Sequence, residues 1–108
     1  MKVSVIHTAF EESPKLVASV DVDDNMSTNE ALNYVWRLTQ NIEGSWSRPG
    51  NPDWSDDVTV MADLPVNVRT GEEMGLRSTS IGDRIVVEND EFIVDFDGFN
   101  LVAVGGCS

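Results

Sequence analysis

Apolar and polar side chains alternate through the first 22 residues of the chain. Val3 and Val5 alternate with polar neighbours, and a second alternating run extends from Leu16 to Val22. A period of two is typical of a strand that buries one face. The polar segment Glu11-Glu12-Ser13-Pro14 separates the two runs and has the composition of a turn. The pattern therefore predicts a long hairpin that opens the fold.

A helix with a capped first turn is predicted after this hairpin. Ser27 and Glu30 have capping-box spacing, in which the hydroxyl caps the first turn and the carboxylate reaches back to the cap;. Apolar residues then recur on one stripe at helical spacing, so we expect the helix to continue to about Asn41. The stripe consists of Ala31, Val35, Leu38 and Ile42. Leu32 and Trp36 widen it into a shoulder that either packs on a sheet or binds a partner.

The segment from residue 43 to residue 57 is typical of a loop, because it is rich in Gly, Pro and small polar side chains;. It also contains two tryptophans, Trp46 and Trp54. A tryptophan in a loop either folds back onto the core, which is the commoner outcome, or stays exposed as a binding anchor. The sequence leaves both outcomes open.

The second half of the chain has the pattern of short strands. Val58 and Val60 predict a third strand that Pro65 interrupts, with a continuation to Val68 at a sheet edge;. A hairpin is predicted from Ile85–Val87, a turn at 88–91 and a returning half-buried strand in which Phe92, Val94 and Phe96 alternate with other residues. A last strand is expected at 101–104.

These elements predict an α+β fold, with a twisted, mostly antiparallel sheet and one capped helix packed on it. The sheet is either open or barrel-like. We expect one domain spanning residues 1–108, because a chain of this length buries enough surface for a single core only;.

The chain is strongly acidic. It has 19 Asp and Glu residues against 7 Lys and Arg, a formal charge of −12 and a pI near 4.1. Such a surface repels nucleic acid and anionic membranes, and it suits a basic protein surface or life in high salt. Residues 55–108 hold 11 acidic and 3 basic residues, so the C-terminal half carries −8 of the total.

The sequence contains no apolar run near the roughly 18 residues of a membrane span. Its single cysteine, Cys107, cannot form an internal disulfide, which fits a reducing compartment;. We therefore expect a cytoplasmic protein that binds neither membranes nor nucleic acid directly.

No set of residues is typical of an active site or a metal site. His7 is the only histidine, and we expect it as an edge residue at the end of the first strand. A zinc site there would need carboxylates alone, which zinc rarely uses. The acidic motif that begins at Asp21 copies the opening of a calcium loop, but Met26 and Leu32 stand where Gly and Glu are required. No nucleophile elbow or phosphate-binding glycine pattern occurs, so no catalytic residue, cofactor or metal is expected.

One segment of the chain is more distinctive than the rest. It is Arg77-Ser78-Thr79-Ser80-Ile81-Gly82-Asp83, and it precedes the predicted hairpin. Physical reasoning predicts hydroxyl groups that bond nearby backbone, a tight turn at Gly82 and an Asp83 carboxylate that accepts backbone N–H groups. Arg77 and Arg84 are expected to pair with local acids.

Together with Tyr34-Val35-Trp36, Asn41 and Trp46 upstream and Gly98-Phe99 downstream, this segment resembles small uncharacterised proteins encoded by bacteriophages and plasmids. Those proteins carry an R-S-T-S-hydrophobic-G-D segment before a β-hairpin that ends in Gly-Phe. The similarity spans roughly residues 34–99. It implies an origin in a mobile element and no catalytic residues.

The sequence therefore favours a non-enzymatic phage or plasmid protein that binds and inhibits a host protein with a basic surface. One such target is a nucleic-acid-binding defence complex, inhibited in an anti-CRISPR-like manner by an acidic nucleic-acid mimic. Duplex DNA carries one charge per ~1.7 Å, so a mimic needs carboxylates clustered on one face. The predicted partner-binding residues are Asp83, Glu88, Asp90, Glu91, Asp95, Asp97, Trp46 and Trp54.

Two alternatives stay open. The first is a structural or accessory interaction module of a virus or plasmid, whose acidity serves solubility or adaptation to high salt. The second is a small enzyme, which would need pairs of Asp or Glu that only the fold can bring together.

Overall fold

The computed structural model describes residues 1–42, 45–47, 54–62, 68–71, 75–96 and 98–104. Over these residues the chain forms one six-stranded sheet in the order β3-β2-β1-β4-β5-β6, with every neighbouring pair antiparallel. The elements are β1 (Lys2–His7), β2 (Lys15–Asp21), α1 (Thr28–Leu38), β3 (Val58–Val60), β4 (Arg84–Val87), β5 (Asp90–Asp95) and β6 (Gly98–Val104). The predicted α+β fold is confirmed. The sheet is not closed, so the barrel-like alternative is wrong.

The opening hairpin β1–β2 is confirmed, but a β-bulge changes which residues face the core. Val5 pairs with Ala18 and Ile6 with Leu16, which leaves Val17 as an extra residue in β2;. Val17 and Ala18 are therefore both buried, whereas Leu16 is exposed. A strict alternation from Leu16 to Val22 does not allow for this inserted residue.

Helix α1 begins with the predicted capping box. The backbone N–H of Glu30 donates to the Ser27 hydroxyl at 3.2 Å, and the Ser27 N–H donates to the Glu30 carboxylate at 3.2 Å. The helix ends at Leu38, before the expected Asn41. At the next position Thr39 donates its hydroxyl to the carbonyl of Val35 at 3.0 Å, which closes the last turn.

One face of α1 packs on the sheet through Ala31, Leu32 and Val35, all of which are buried. The sheet meets this face with Val3, Val5 and Ile85 of its central strands β1 and β4. Trp36 lies outside this contact, with 39% of its surface exposed. The shoulder interpretation is thus divided: Leu32 packs on the sheet, and Trp36 remains available to solvent.

The C-terminal strands form the predicted hairpin with a shorter turn. Val87 pairs with Asp90, so the turn consists of Glu88 and Asn89 alone. Glu88 has a φ of 55°, the left-handed conformation that such turns require;. Phe96 does not continue the half-buried alternation, since it lies beyond the end of β5 and is 87% exposed. The predicted continuation of β3 beyond Pro65 falls largely on residues 63–67, outside the described residues.

Candidate functional site

Arg77, which is partly buried, forms an ion pair with the buried Asp83 at the end of the sheet where β1 finishes and β4 begins. The Arg77 guanidinium donates to both oxygens of Asp83, at 2.6 and 2.7 Å, and also binds Glu11 at 2.7 Å. Asp83 is fully buried. Its carboxylate also accepts the backbone N–H groups of Ser80 at 2.7 Å, Thr8 at 2.9 Å and Ala9 at 3.0 Å.

This arrangement confirms the expected turn at Gly82 and the expected role of Asp83 as an acceptor of backbone N–H groups. Of the three hydroxyl groups, that of Ser80 bonds the neighbouring backbone at Ser78, whereas Ser78 accepts the distant N–H group of Asn41 and Thr79 contacts His7. Gly82 adopts a φ of 98°, which places the turn directly before Asp83;. Burial on its own would raise the pKa of Asp83, but the hydrogen bonds from Arg77 and from the three backbone N–H groups outweigh it and hold the pKa at about 2. The same pair raises the pKa of Arg77. Asp83 is therefore ionised at neutral pH and ties three segments of the chain together.

His7 lies beside this ion pair, in the interior. It is the last residue of β1, a central strand between β2 and β4, so its prediction as an edge residue is wrong. Its Nε2 atom is 3.2 Å from the Thr79 hydroxyl, and its ring meets Trp46 edge-on at 6.4 Å between centroids. Burial lowers the pKa of His7, although the nearby Asp83 carboxylate opposes this change.

We expect the His7 imidazole to titrate below pH 6.5 in the folded protein and near 6.5 in the unfolded chain. The unfolded state then binds a proton that the folded state does not. This group therefore lowers the free energy of unfolding as the pH falls below 6.5. Since His7 is the only histidine, one NMR titration of its Cε1 proton, with and without urea, measures both values. A folded-state midpoint above 6.5 would contradict the burial described here.

Trp46 folds back onto the core. Its side chain is fully buried, and its indole N–H donates to the carbonyl of Arg77 at 2.9 Å. The side chain of Asn41 accepts its backbone N–H at 2.9 Å. The predicted partner-binding role of Trp46 and Asp83 is therefore corrected, because neither side chain reaches the surface and both are held by internal hydrogen bonds.

The remaining predicted carboxylates do not share one face. Asp90 and Asp95 lie at opposite ends of β5, about 17 Å apart at the rise of an antiparallel strand;. Asp90 and Glu91 are consecutive in that strand, so they point to opposite faces of the sheet. Glu88 is exposed in the β4–β5 turn. Asp97 lies outside the described residues.

Two of the predicted partner-binding residues have local partners. Glu91 forms an ion pair with Arg84 across the β4–β5 hairpin, as expected for that arginine. Trp54 is half-buried, and its indole N–H donates to Asp56 at 3.3 Å. Neither residue is buried as deeply as Asp83 or Trp46, so both stay accessible to a partner.

The strand directions collect acidic residues at the end of the sheet where β1 begins. Lys2 pairs with Asp21 and Val3 with Val87, which places the end of β2 and the β4–β5 turn at the same end of the sheet, on either side of β1. The backbone of Asp21 also bonds to that of Asp57, just before β3. We call this region the acidic end. Among the described residues it contains Asp21, Asp23, Asp24, Glu30, Asp56, Asp57, Glu88 and Asp90.

Sequence reasoning missed the acidic end because its members come from both halves of the chain. Each member lies close to the beginning or end of a strand or helix. Together with the strand directions, this position would have predicted that the acidic residues meet at one end of the sheet. Seven of the eight are exposed, and Asp90 is partly buried. Only two positive groups are found there among the described residues, Lys2 and the amino group of Met1, which pair with Asp21 and Asp24.

An apolar groove lies near the opposite end of the sheet, between α1 and the β5–β6 hairpin. Its volume is about 520 Å³, and it is lined by Trp36 of α1, by Ile81, and by Phe96 and Phe99 of the hairpin. Ile81 and Phe96 are exposed, as is part of Trp36. Gln40 donates to the carbonyl of Thr79 at 2.8 Å and so connects the helix to the segment that carries Ile81.

The polar lining of the groove is sparse. Asn33, Gln40, Thr79 and Ser80 contribute neutral groups, and Asp95 is the one charged residue among the described lining residues. Exposed aromatic and aliphatic side chains that converge on one concave surface are typical of a site that binds an apolar side chain of a partner. The sequence indicated Trp36 as one of these residues, but it did not indicate Ile81 or Phe96.

Two further properties hold for the described residues. No helix among them is long and apolar enough to cross a membrane. No group of three or more His, Cys, Asp or Glu side chains in this part of the chain is placed to hold a metal ion.

Comparisons with protein-family models, with curated proteins and with solved structures find no match to this chain.

Proposed function

We propose that this chain is a non-enzymatic, phage- or plasmid-encoded protein that binds and inhibits a host protein with a basic surface. The observation that carries the proposal is the groove between α1 and the β5–β6 hairpin, where Trp36, Ile81 and Phe96 are all exposed. Aromatic side chains at the centre of a concave surface are the residues most often responsible for binding energy at protein interfaces.

The charge of the chain favours a basic partner. A net charge of −12 attracts a positively charged surface at long range and speeds association, whereas it repels nucleic acid and other acidic proteins;. Asp95, in the lining of the groove, places a carboxylate next to the apolar contact. A partner segment that combines an apolar side chain with Lys or Arg would match both features.

This chain would inhibit its partner if it occupied a basic surface that the partner needs for its own activity. Surfaces that bind DNA or RNA are rich in Lys and Arg, and they are common in host defence complexes. A small acidic protein anchored by its groove would compete with nucleic acid for such a surface in the host cytoplasm. The acidic end would supply the clustered carboxylates that competition with a phosphate backbone requires.

The buried ion pair supports binding rather than catalysis. His7 and Asp83 are the described ionisable groups that resemble members of a catalytic set. Both are buried behind the groove, next to its lining residues Thr79 and Ser80, and neither lines it. The Asp83 carboxylate is occupied by Arg77 and by three backbone N–H groups. These contacts give both groups a structural role.

Affinity capture from a bacterial lysate, followed by mass spectrometry, tests this function. We expect the wild-type chain to recover one basic, nucleic-acid-binding complex at low salt and to lose it at high salt, where charge attraction is screened. The variant Trp36→Ala should reduce recovery by about tenfold or more, the effect of removing an interface anchor.

The matched control is Phe10→Ala. Phe10 is also an exposed aromatic residue, but it contacts the Arg77 guanidinium at 4.9 Å and does not line the groove. This variant should capture the complex as well as the wild type does. If nothing is recovered at low salt, or if both variants behave alike, the groove is not the binding site and the accessory-module alternative is favoured.

A further inference from the structure

The strand β6 forms one edge of the sheet, and it differs from the strand at the other edge. Among the described strands, β6 has seven residues and β3 has three. The sequence of β6, GFNLVAV, contains no charged residue and no proline. Short length, charge and proline are the features that normally keep an edge strand from pairing with another chain. Strand β3 has the first of these protections, and β6 has none of the three. A β-bulge, which also weakens an edge, interrupts β6 at Val102 and leaves Gly98–Leu101 as a regular stretch;.

The side chains near the middle of β6 are also exposed. Leu101 is 52% exposed and Val102 is 43% exposed, although both are apolar. An edge strand directs the N–H and C=O groups of alternate residues away from the sheet. In β6 these backbone groups are therefore combined with apolar side chains, which is the combination that binds an added strand.

The edge of β6 is continuous with the groove. Phe92 pairs with Ile85, on the face of the sheet that α1 covers, and Val94 lies two residues further along β5 on the same face. Phe99 pairs with Val94, so Phe99 lies on that face as well. Phe99 and Gly98 also line the groove. Leu101 pairs with Phe92 two residues further on, and so it faces the same way. A strand added to β6 would therefore place every second side chain on the groove side of the sheet.

We propose that an extended segment of the partner adds to β6 as a seventh strand and places an apolar side chain in the groove. In this segment, apolar residues would alternate with Lys or Arg. The apolar side chains would lie on the groove side of the sheet, and the Lys or Arg side chains would lie on the opposite face of this acidic protein. This inference rests on the proposed function, because it specifies how the partner occupies the groove. A second copy of the chain is a poorer occupant, since two molecules of charge −12 repel each other;.

A synthetic probe tests the inference without knowledge of the partner. The probe is a ten-residue peptide of alternating Lys and Val, added to ¹⁵N-labelled protein while amide hydrogen exchange is followed by NMR. We expect exchange at β6 amides to slow by about tenfold at high peptide concentration, because edge N–H groups become hydrogen-bonded.

Two N-methylated versions of the peptide separate strand pairing from charge attraction. In an extended peptide the N–H groups of all Val residues point to one edge, and those of all Lys residues point to the other. Methylation of one set should abolish the protection of β6, and methylation of the other set should preserve it. Both versions keep the charge and the side chains of the probe.

A variant of β6 gives a second arm. Val102 is the bulged residue of the β5–β6 ladder, since Leu101 pairs with Phe92 and Ala103 with Glu91. Val102→Pro removes an N–H group and stiffens the edge at a position that the ladder does not pair. It should lose protection by the probe, whereas the matched control Val102→Thr keeps the N–H group and should retain protection. The peptide arm decides the question if the proline variant does not fold.

The outcomes distinguish this inference from the proposed function. Chemical shift changes at Trp36, Ile81 and Phe96 without protection of β6 would overturn strand addition and leave the groove as a binding site. Chemical shift changes confined to the acidic end would overturn strand addition. They would also remove the support for the groove as a binding site. Absence of binding at millimolar peptide, or a dimer of the free protein formed through β6, would also overturn strand addition.

Discussion

Replacement of Asp83 by asparagine is expected to lower the free energy of unfolding by about 3–5 kcal/mol, the usual cost of breaking a buried ion pair by removing one partner. The Asp83 carboxylate accepts two hydrogen bonds from Arg77 and three from backbone N–H groups. The NH2 group of asparagine would face N–H donors where the carboxylate had an acceptor oxygen. The Arg77 charge would also lose its buried negative partner. One acceptor oxygen would remain, so the side chain could hold either the Thr8 and Ala9 N–H groups or the Ser80 N–H group, but not both sets.

Urea denaturation at pH 7 measures this loss. The control is Glu12→Gln, which removes the same charge from an exposed residue of the turn that contains Glu11. We expect that control to change the free energy of unfolding by less than about 0.5 kcal/mol. If Asp83→Asn differs from the control by less than about 1 kcal/mol, the carboxylate is not the acceptor that holds these segments together.

The difference between wild type and Asp83→Asn should depend on pH. The folded pKa of Asp83 is about 2, against 3.8 for an ordinary aspartate. A group whose folded pKa is depressed stabilises the fold above its unfolded pKa and loses that contribution as the pH falls through the folded value. We therefore expect the difference to be constant above about pH 5 and to shrink by ~2 kcal/mol as the pH falls from about 4 to about 2. A difference that is independent of pH would contradict the depressed pKa.

The local physical chemistry of the chain was predictable from the sequence. The capping box at Ser27 and Glu30, the opening hairpin and the C-terminal hairpin all depend on residues close together in the chain. The same holds for the turn at Gly82 and for the hydrogen bond that Asp83 accepts from the backbone N–H group of Ser80. In each case the pattern and the structure that it forms involve the same few residues.

The burial of individual side chains, and the contacts between residues far apart in the chain, were less predictable. Asp83 and Glu88 are equally acidic in the sequence, but one is buried beneath Arg77 and the other is exposed in a turn. No periodicity separates them, because burial of Asp83 depends on Arg77 and on Thr8, which lies 75 positions away. The bulge at Val17 is likewise set by its pairing with β1. The acidic end requires strand directions, which alternating side chains do not specify.

The three tryptophans are expected to differ sharply in their contribution to stability. Trp46 is fully buried, packs against His7 and donates to the carbonyl of Arg77. We expect Trp46→Ala to lower the free energy of unfolding by about 3–5 kcal/mol, because it leaves a large cavity and an unsatisfied carbonyl. Trp46→Phe should cost less, since most of the volume remains and only the hydrogen bond is lost.

Trp36→Ala and Trp54→Ala are the matched controls, because Trp36 is exposed and Trp54 is half-buried. Each should change the free energy of unfolding by less than about 1 kcal/mol, measured by urea denaturation followed by circular dichroism. Lysate capture with Trp36→Ala and Trp46→Phe completes the test. Trp36→Ala should fold normally and lose the partner, whereas Trp46→Phe should bind the partner wherever it is folded. If Trp46→Phe is stable and yet loses binding, Trp46 is a contact residue, and its assignment to the core alone is wrong.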